Sequence, residues 1–238
     1  MAEGLHEKPS PSRAASEILE GATAYLRFLT ELGNAGFDLS EQSLETIASW
    51  SNVKSKNTAS PDIFNNFIKC RQCALAAQRQ HVISGMGNPN ARLMIIGGVP
   101  EADDAQTGKP YSGKAGGLLD KMLSAMALTR SEIYVTFAVK CCLPDDTKPS
   151  IPVMNCCKAY LRKELIRVRP DIIFAFGGIA AMSLLETSAP LTRLRGRFHD
   201  YKGIPLMPTH APEYLVENPD AKREAWEDIK QVMKRLKN

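Results

Sequence analysis

The sequence predicts an α/β fold: three α/β/α layers around a central, mostly parallel sheet, with an N-terminal helical extension. Three observations carry this. Short apolar runs, several closed by glycine, alternate with amphipathic stretches of helical length from residue 92 to 236, the pattern of strands buried on both faces by crossover helices. The 238 residues are enough for one sizeable core, and 44% hydrophobic with 24% charged is the balance of a soluble globular protein. No apolar run approaches the roughly 20 residues that span a bilayer.

The elements follow in order. Residues 1–14 are rich in Pro, Ser and charge and are expected to be disordered. From Ser16 to Leu32 the residues Ile18, Leu19, Ala22, Tyr25, Leu26 and Leu29 recur at helical spacing. A second short helix is expected over 41–50, with Ser40 as N-cap, and 51–61 reads as a linker. Residues 15–60 thus form a helical extension and linker, and 61–238 the main domain. There, RLMIIG (92–97) is a buried strand, 115–128 an amphipathic helix and 132–139 a strand. Residues 151–169 are mostly helix, with Pro152 near the start. DIIFAF (171–176) is a strand ended by Gly177 and Gly178, and 179–185 a short helix. GIPLMP (203–208) is the last strand and 221–236 the last helix. In such sheets the site lies beyond the carboxyl ends of the strands. Those ends deliver three loops, 97–113, 137–150 and 208–215.

Charge is unevenly distributed. Residues 1–60 carry 5 Lys/Arg against 8 Asp/Glu, and residues 61–238 carry 25 against 18. A modestly basic body suits a polyanionic partner. The start of the chain holds no apolar signal core, so a cytoplasmic protein is expected.

All six cysteines fall into three clumps: Cys70 and Cys73 as C-x-x-C, Cys141 with Cys142, and Cys156 with Cys157. Thiolates gathered this way outside a secretory context point to metal rather than disulfides. Soft sulfur ligands suit zinc or iron–sulfur. On spacing alone iron–sulfur, structural zinc and plain packing all stand open.

The loops carry more specific motifs. GKPYSGKAGGLLD (108–120) resembles G-x-P-F-V-G-x-A-G-x-L-L, YVTFAVKC (134–141) resembles Y-I-T-N-V-V-K-C, and CKAYL (157–161) resembles C-x-P-Y-L. With LRGRF (194–198) and PTHAPEYL (208–215), these occur in the order and at the gaps of the family 4 uracil-DNA glycosylases, and the similarity runs from about Cys70 to Trp226. The resemblance implies hydrolysis of the N-glycosidic bond of a uracil or other deaminated base flipped out of DNA; a monomer with no membrane partner is expected. It also implies a [4Fe–4S] cluster on Cys70, Cys73, Cys141 and Cys157, with Cys142 and Cys156 extra.

Each active-site loop departs from that family. In the first, the family acid is replaced by Gly98, and Glu101, Asp103 and Asp104 follow, Asp104 standing where the family also carries an acid. In the second, the base-reading Asn is replaced by Phe137, which has no donor or acceptor, while Tyr111 takes the place of the Phe that stacks on the base. In the third, Ala211 takes the place of the family His, and His210 stands one residue early, a shift that reverses side-chain direction on an extended backbone. The resemblance therefore assigns Gly98, Tyr111, Phe137 and Ala211 to the base pocket and His210 and Asp104 to catalysis. Lys114, Arg195 and Arg197 fall in segments that resemble DNA-facing loops, and Gly113, Gly116 and Gly117 open a helix N-terminus. Two readings compete: a glycosylase with weak or altered activity, and an iron–sulfur DNA-binding module that has lost hydrolysis. A structural partner acting through the N-terminal helices is a third.

Overall fold

The computed structural model describes residues 70–77, 79, 81–143 and 147–237. The chain divides into two units, Met1–Ala59 and Ser60–Asn238, and all described residues lie in the second. The expected tail, the two N-terminal helices and the linker lie outside the described residues.

Among the described residues, six strands form one sheet in the order β1-β3-β2-β4-β6-β5. They are β1 (Met86–Gly87), β2 (Leu93–Gly97), β3 (Tyr134–Phe137), β4 (Ile172–Phe176), β5 (His199–Tyr201) and β6 (Ile204–Thr209). The four central strands are parallel, and the short edge strands β1 and β5 are antiparallel. The helices are α1 (Ala102–Thr107), α2 (Lys114–Ala125), α3 (Ile151–Val168), α4 (Gly177–Leu185), α5 (Leu191–Leu194), α6 (Pro212–Glu217) and α7 (Lys222–Leu236).

The residue patterns explain the layers. Every residue of β2, β3 and β4 is buried, as continuous apolar runs covered on both faces should be. On one face Leu93, Ile95, Val135, Phe174 and Phe176 pack with Leu119 and Leu123 of α2 and Ile229 of α7. On the other, Met94, Ile96, Ile173 and Ala175 pack with Leu161 and Leu165 of α3 and Leu184 of α4. In α7 the buried Ala225, Asp228, Ile229 and Val232 recur at helical spacing.

The register matters for function. Gly97 pairs with Phe137, and Phe176 with Thr209, so the carboxyl ends of β2, β3, β4 and β6 finish at one level. All three expected loops leave the sheet there. Two of them contain helices that the sequence reading leaves as loop. α1 starts at Glu101 with a capping box to Asp104 and stops at Gly108, whose φ of 71° is left-handed. α6 starts just after Ala211 with Pro212 in its first turn.

Candidate active site

Beyond these strand ends lies a crevice of about 630 Å³. Pro100, Glu101 and Asp103 bound it from the first loop, Cys142 and Lys148 from the second, Ile179 from the start of α4 and Glu213 from α6. The three loops therefore converge as expected, but the residues they present differ from those the motifs assign.

Gly98 is buried, and a Cβ there would stand 3.0 Å from the Ile179 Cβ. The space of an acid at this position is closed by a neighbouring helix, so an acidic side chain at 98 would need Ile179 to move. Phe137 is 1% exposed and stacks on Tyr111 with ring centroids 4.9 Å apart and 29° between planes. Phe176 meets the Tyr111 ring edge-on at 6.3 Å. Tyr111 was expected to offer a ring to a flipped base; that ring is instead buried against two phenylalanines. Its backbone is left-handed, φ 56°, and Arg130 holds the turn by donating to the carbonyls of Pro110, Tyr111 and Gly116. A Cβ at Gly116 would stand 1.9 Å from the Tyr111 carbonyl oxygen, which is why α2 opens with glycine there. The Tyr111 hydroxyl is buried with no hydrogen-bond partner among the described residues.

Asp104 was expected near catalysis. Its two oxygens accept from the backbone N–H groups of Ser112 at 2.7 Å and Glu101 at 3.0 Å, so it caps α1 and ties it to the next turn. Burial lifts its carboxyl above the usual range despite those bonds. Asp103 is exposed, and a Cβ at Gly113 would overlap its carboxylate. That acid, not an open cradle, stands beside the start of α2.

His210 turns away from the crevice, as the one-residue shift implies. Its Nε2 is 2.9 Å from Glu224 Oε2 on α7, and its ring stacks on Tyr214 at 5.1 Å. Ala211 is buried at the start of α6, with its Cβ 3.2 Å from where a Cβ of Gly177 would be. Arg195, expected at the DNA face, also turns inward. Its Nε and Nη2 donate to Asp228 Oδ2 at 3.2 and 3.0 Å, and its Nη1 lies 3.1 Å from Glu224. Thr209 Oγ1 donates to the same Asp228 oxygen at 2.7 Å. The third loop is thereby anchored on α7. His210 and then Arg195 hold the Glu224 carboxyl below its usual range. Arg197 and Lys114 are exposed.

The cysteines converge on one place. Cys141 and Cys157 are buried with Leu75 and Val139, and Cys73 packs against that cluster. Burial pushes the Cys141 thiol up to about 11, and the neighbouring Cys157, Cys73 and Cys70 push it the same way. Burial, then Cys73 and Cys70, also raise Cys157. Tyr160 hydrogen-bonds Cys70, and Arg79 donates to the Cys70 carbonyl. Cys156 and Cys142 are occupied differently: their thiols donate to the carbonyls of Gln72 at 3.1 Å and Leu143 at 3.5 Å. None of the six cysteines is in a disulfide. Among the described residues no three His, Cys, Asp or Glu side chains are close enough to hold a single metal ion. The four sulfurs of Cys70, Cys73, Cys141 and Cys157 are soft donors of the kind that suits an iron–sulfur group.

Two further features escaped the sequence reading. Lys140 and Glu164 form an ion pair with side chains 2% exposed each. Glu164 also accepts from the Gly85 N–H at 2.9 Å and from Thr136 Oγ1 at 3.0 Å. The pair fastens the residue before Cys141 to the helix that carries Cys157. Glu213 is the second: its Oε2 is buried without a hydrogen-bond partner among the described residues. Only tertiary placement marks it, for in sequence it is one acid among several near a helix start.

A parallel sheet with three loops converging over its carboxyl ends, beside the buried Cys141 and Cys157 with Cys73 packed against them, defines an α/β protein with its site at a topological crevice. Comparison with known proteins identifies which. A family model described as "Uracil DNA glycosylase superfamily" matches residues 84–230, and the chain belongs to that superfamily, in its type-4 branch. It is 30% identical to the type-4 uracil-DNA glycosylase of Thermotoga maritima over 173 residues, covering 71% of this chain and 90% of that protein. It is 27% identical to the type-4 uracil-DNA glycosylase of Archaeoglobus fulgidus over 179 residues, 72% of this chain and 90% of the relative. The corresponding protein of Saccharolobus solfataricus is 29% identical over 177 residues, 71% of this chain and 82% of the relative. No helix among the described residues is long and apolar enough to cross a membrane.

Proposed function

We propose that this protein is a DNA N-glycosylase that removes uracil or another deaminated base flipped out of DNA, acting as a cytoplasmic monomer and holding a [4Fe–4S] cluster on Cys70, Cys73, Cys141 and Cys157. The observation that carries this reading is the convergence of all three family loops on one crevice at the strand ends, in a chain of that superfamily. The chemistry needs a pocket for an extruded base, a group to position water, and a counter to the negative charge on the leaving base. The crevice supplies a carboxyl in Glu213. It also faces the start of α4, whose residue Ile179 lines it, and a helix N-terminus opposes negative charge. Lys114 and Arg197, both exposed, are available to the phosphate backbone. When bound, an iron–sulfur cluster would join the Cys70–Cys73 turn to the Cys141 and Cys157 segments and shape the adjoining surface.

A second reading has its own observation. The Tyr111–Phe137 stack fills space that a base would enter, which favours a DNA-binding module without hydrolysis.

The test is direct. Uracil-, hypoxanthine- and xanthine-containing oligonucleotides, single- and double-stranded, are incubated with the protein and abasic sites are cleaved with alkali. Scission on at least one substrate is expected; salt-sensitive binding with no scission on any would establish the module instead. Anaerobically purified protein should be brown with about four irons per chain. Cys157→Ser should lose that iron, while Cys142→Ser and Cys156→Ser keep it. A colourless protein with one zinc, or iron loss on Cys156→Ser alone, would overturn the ligand set.

A further inference from the structure

The geometry points to Glu213 as the general base for the hydrolytic water, taking over from the first-loop acid that Gly98 lacks; this rests on the glycosylase reading above. Four observations lead there. Glu213 lines the crevice from the third loop. Its Oε2 is buried and unpartnered among the described residues. The hydroxyl of Tyr111, a residue only 3% exposed, is equally without a partner and feels the Glu213 charge. A buried carboxyl oxygen left unpaired is costly unless a small polar molecule bonds it. Finally, three other candidates are engaged: Asp104 with two backbone N–H groups, His210 with Glu224, and Asp228 with Arg195 and Thr209, while Asp103, which also lines the crevice, is exposed to solvent.

The step balances as a hydrolysis. Water held at Glu213 Oε2 forms its bond to C1′ of the flipped nucleotide as the C1′–N bond breaks. The bonding electron pair leaves with the base, and the water proton passes to Glu213. The products are an abasic sugar and the free base, to which the proton is then available.

The groups facing Glu213 set its titration. Glu101, Asp103 and Asp104 come from the first loop and α1, Tyr111 from the following turn, and Cys142 and Lys148 from the second loop. Burial, with Glu101 and Asp104 adding to it, pushes the carboxyl up to about 7, against a backbone hydrogen bond that lowers it. A base of that strength is matched to neutral pH.

The experiment compares the full-length wild type with Glu213→Gln and Glu213→Asp on a uracil oligonucleotide under single-turnover conditions, from about pH 5.5 to about pH 8.5. Binding to the same oligonucleotide bearing a non-hydrolysable 2′-fluoroarabino-uridine is followed by fluorescence anisotropy. The wild-type rate should rise about tenfold per pH unit and level off near 7, and Glu213→Gln should slow excision at least roughly 100-fold with binding within about threefold. Glu213→Asp should retain more activity than Glu213→Gln, and the binding readout shows that each variant is folded. A wild type that excises at a rate flat or falling with pH, or a Glu213→Gln within about threefold of it, overturns the role of Glu213 and leaves the glycosylase reading intact. A wild type that binds but excises nothing overturns both.

Discussion

Arg195 offers the sharpest test of how the third loop is held. Replacing it by Met removes the cation from Asp228, a carboxyl whose side chain is fully buried, while Arg195 itself is 16% exposed. Breaking a buried pair from one side costs about 3–5 kcal/mol, and the partial exposure of the guanidinium places this case near ~3 kcal/mol. For a domain of this size each kcal/mol is worth about 2–4 °C, so the melting temperature should fall by about 6–12 °C. The pH dependence has a definite sign. Burial outweighs the contacts of Thr209 and Arg195 and holds Asp228 above the usual carboxylate range. A raised folded-state value favours the protonated form, which contributes stability at low pH that is lost as pH rises through that value. Arg195→Met removes a lowering contact and raises it further, so the deficit should be larger at pH 8 than at pH 5. Far-UV circular dichroism melts at one scan rate measure both. A drop below about 2 °C, or a deficit that grows on acidification, would refute the reasoning, and Arg195 would return to consideration as a phosphate contact.

Two other outcomes are expected. Lys114→Ala and Arg197→Ala should each reduce the slope of log affinity against log salt by about 0.9 while leaving the melt nearly unchanged; anisotropy titrations at several salt concentrations give the slopes, and unchanged slopes would remove both residues from the DNA face. Tyr111→Phe deletes a buried hydroxyl that has no hydrogen-bond partner among the described residues and should raise the melting temperature by about 2–4 °C. A lower melt would show that the hydroxyl has a partner in solution.

The central sheet was legible because burial on both faces writes long apolar runs: Leu93–Gly97 and Ile172–Phe176 are buried throughout. The edges were not. β1 has two residues and β5 reads His-Asp-Tyr, partly exposed, and pairing with one neighbour needs no apolar signal. Helix α1 was missed although Glu101, Asp104 and Gly108 are start and stop signals, because six residues are too few to show a period. At the site, the motifs located the loops and the cysteine cluster, since spacing along the chain carries that information. They did not locate side-chain partners. Arg195 reads as surface charge until Asp228, 33 residues on, is placed beside it. Glu213 becomes distinct from Glu217 only when burial isolates one of its oxygens.

The packing at the strand ends has a consequence for redesign. Three residues there are each held against a neighbour: Gly98 against Ile179, Phe137 against Tyr111, and Ala211 against the place a Cβ of Gly177 would take. Residues in such contact do not change independently. Phe137→Asn alone would strip an aromatic partner from Tyr111, and Ala211→His alone would add bulk at a buried position. Redesign of this pocket therefore has to proceed by paired changes, because the cost of each single change depends on its neighbour.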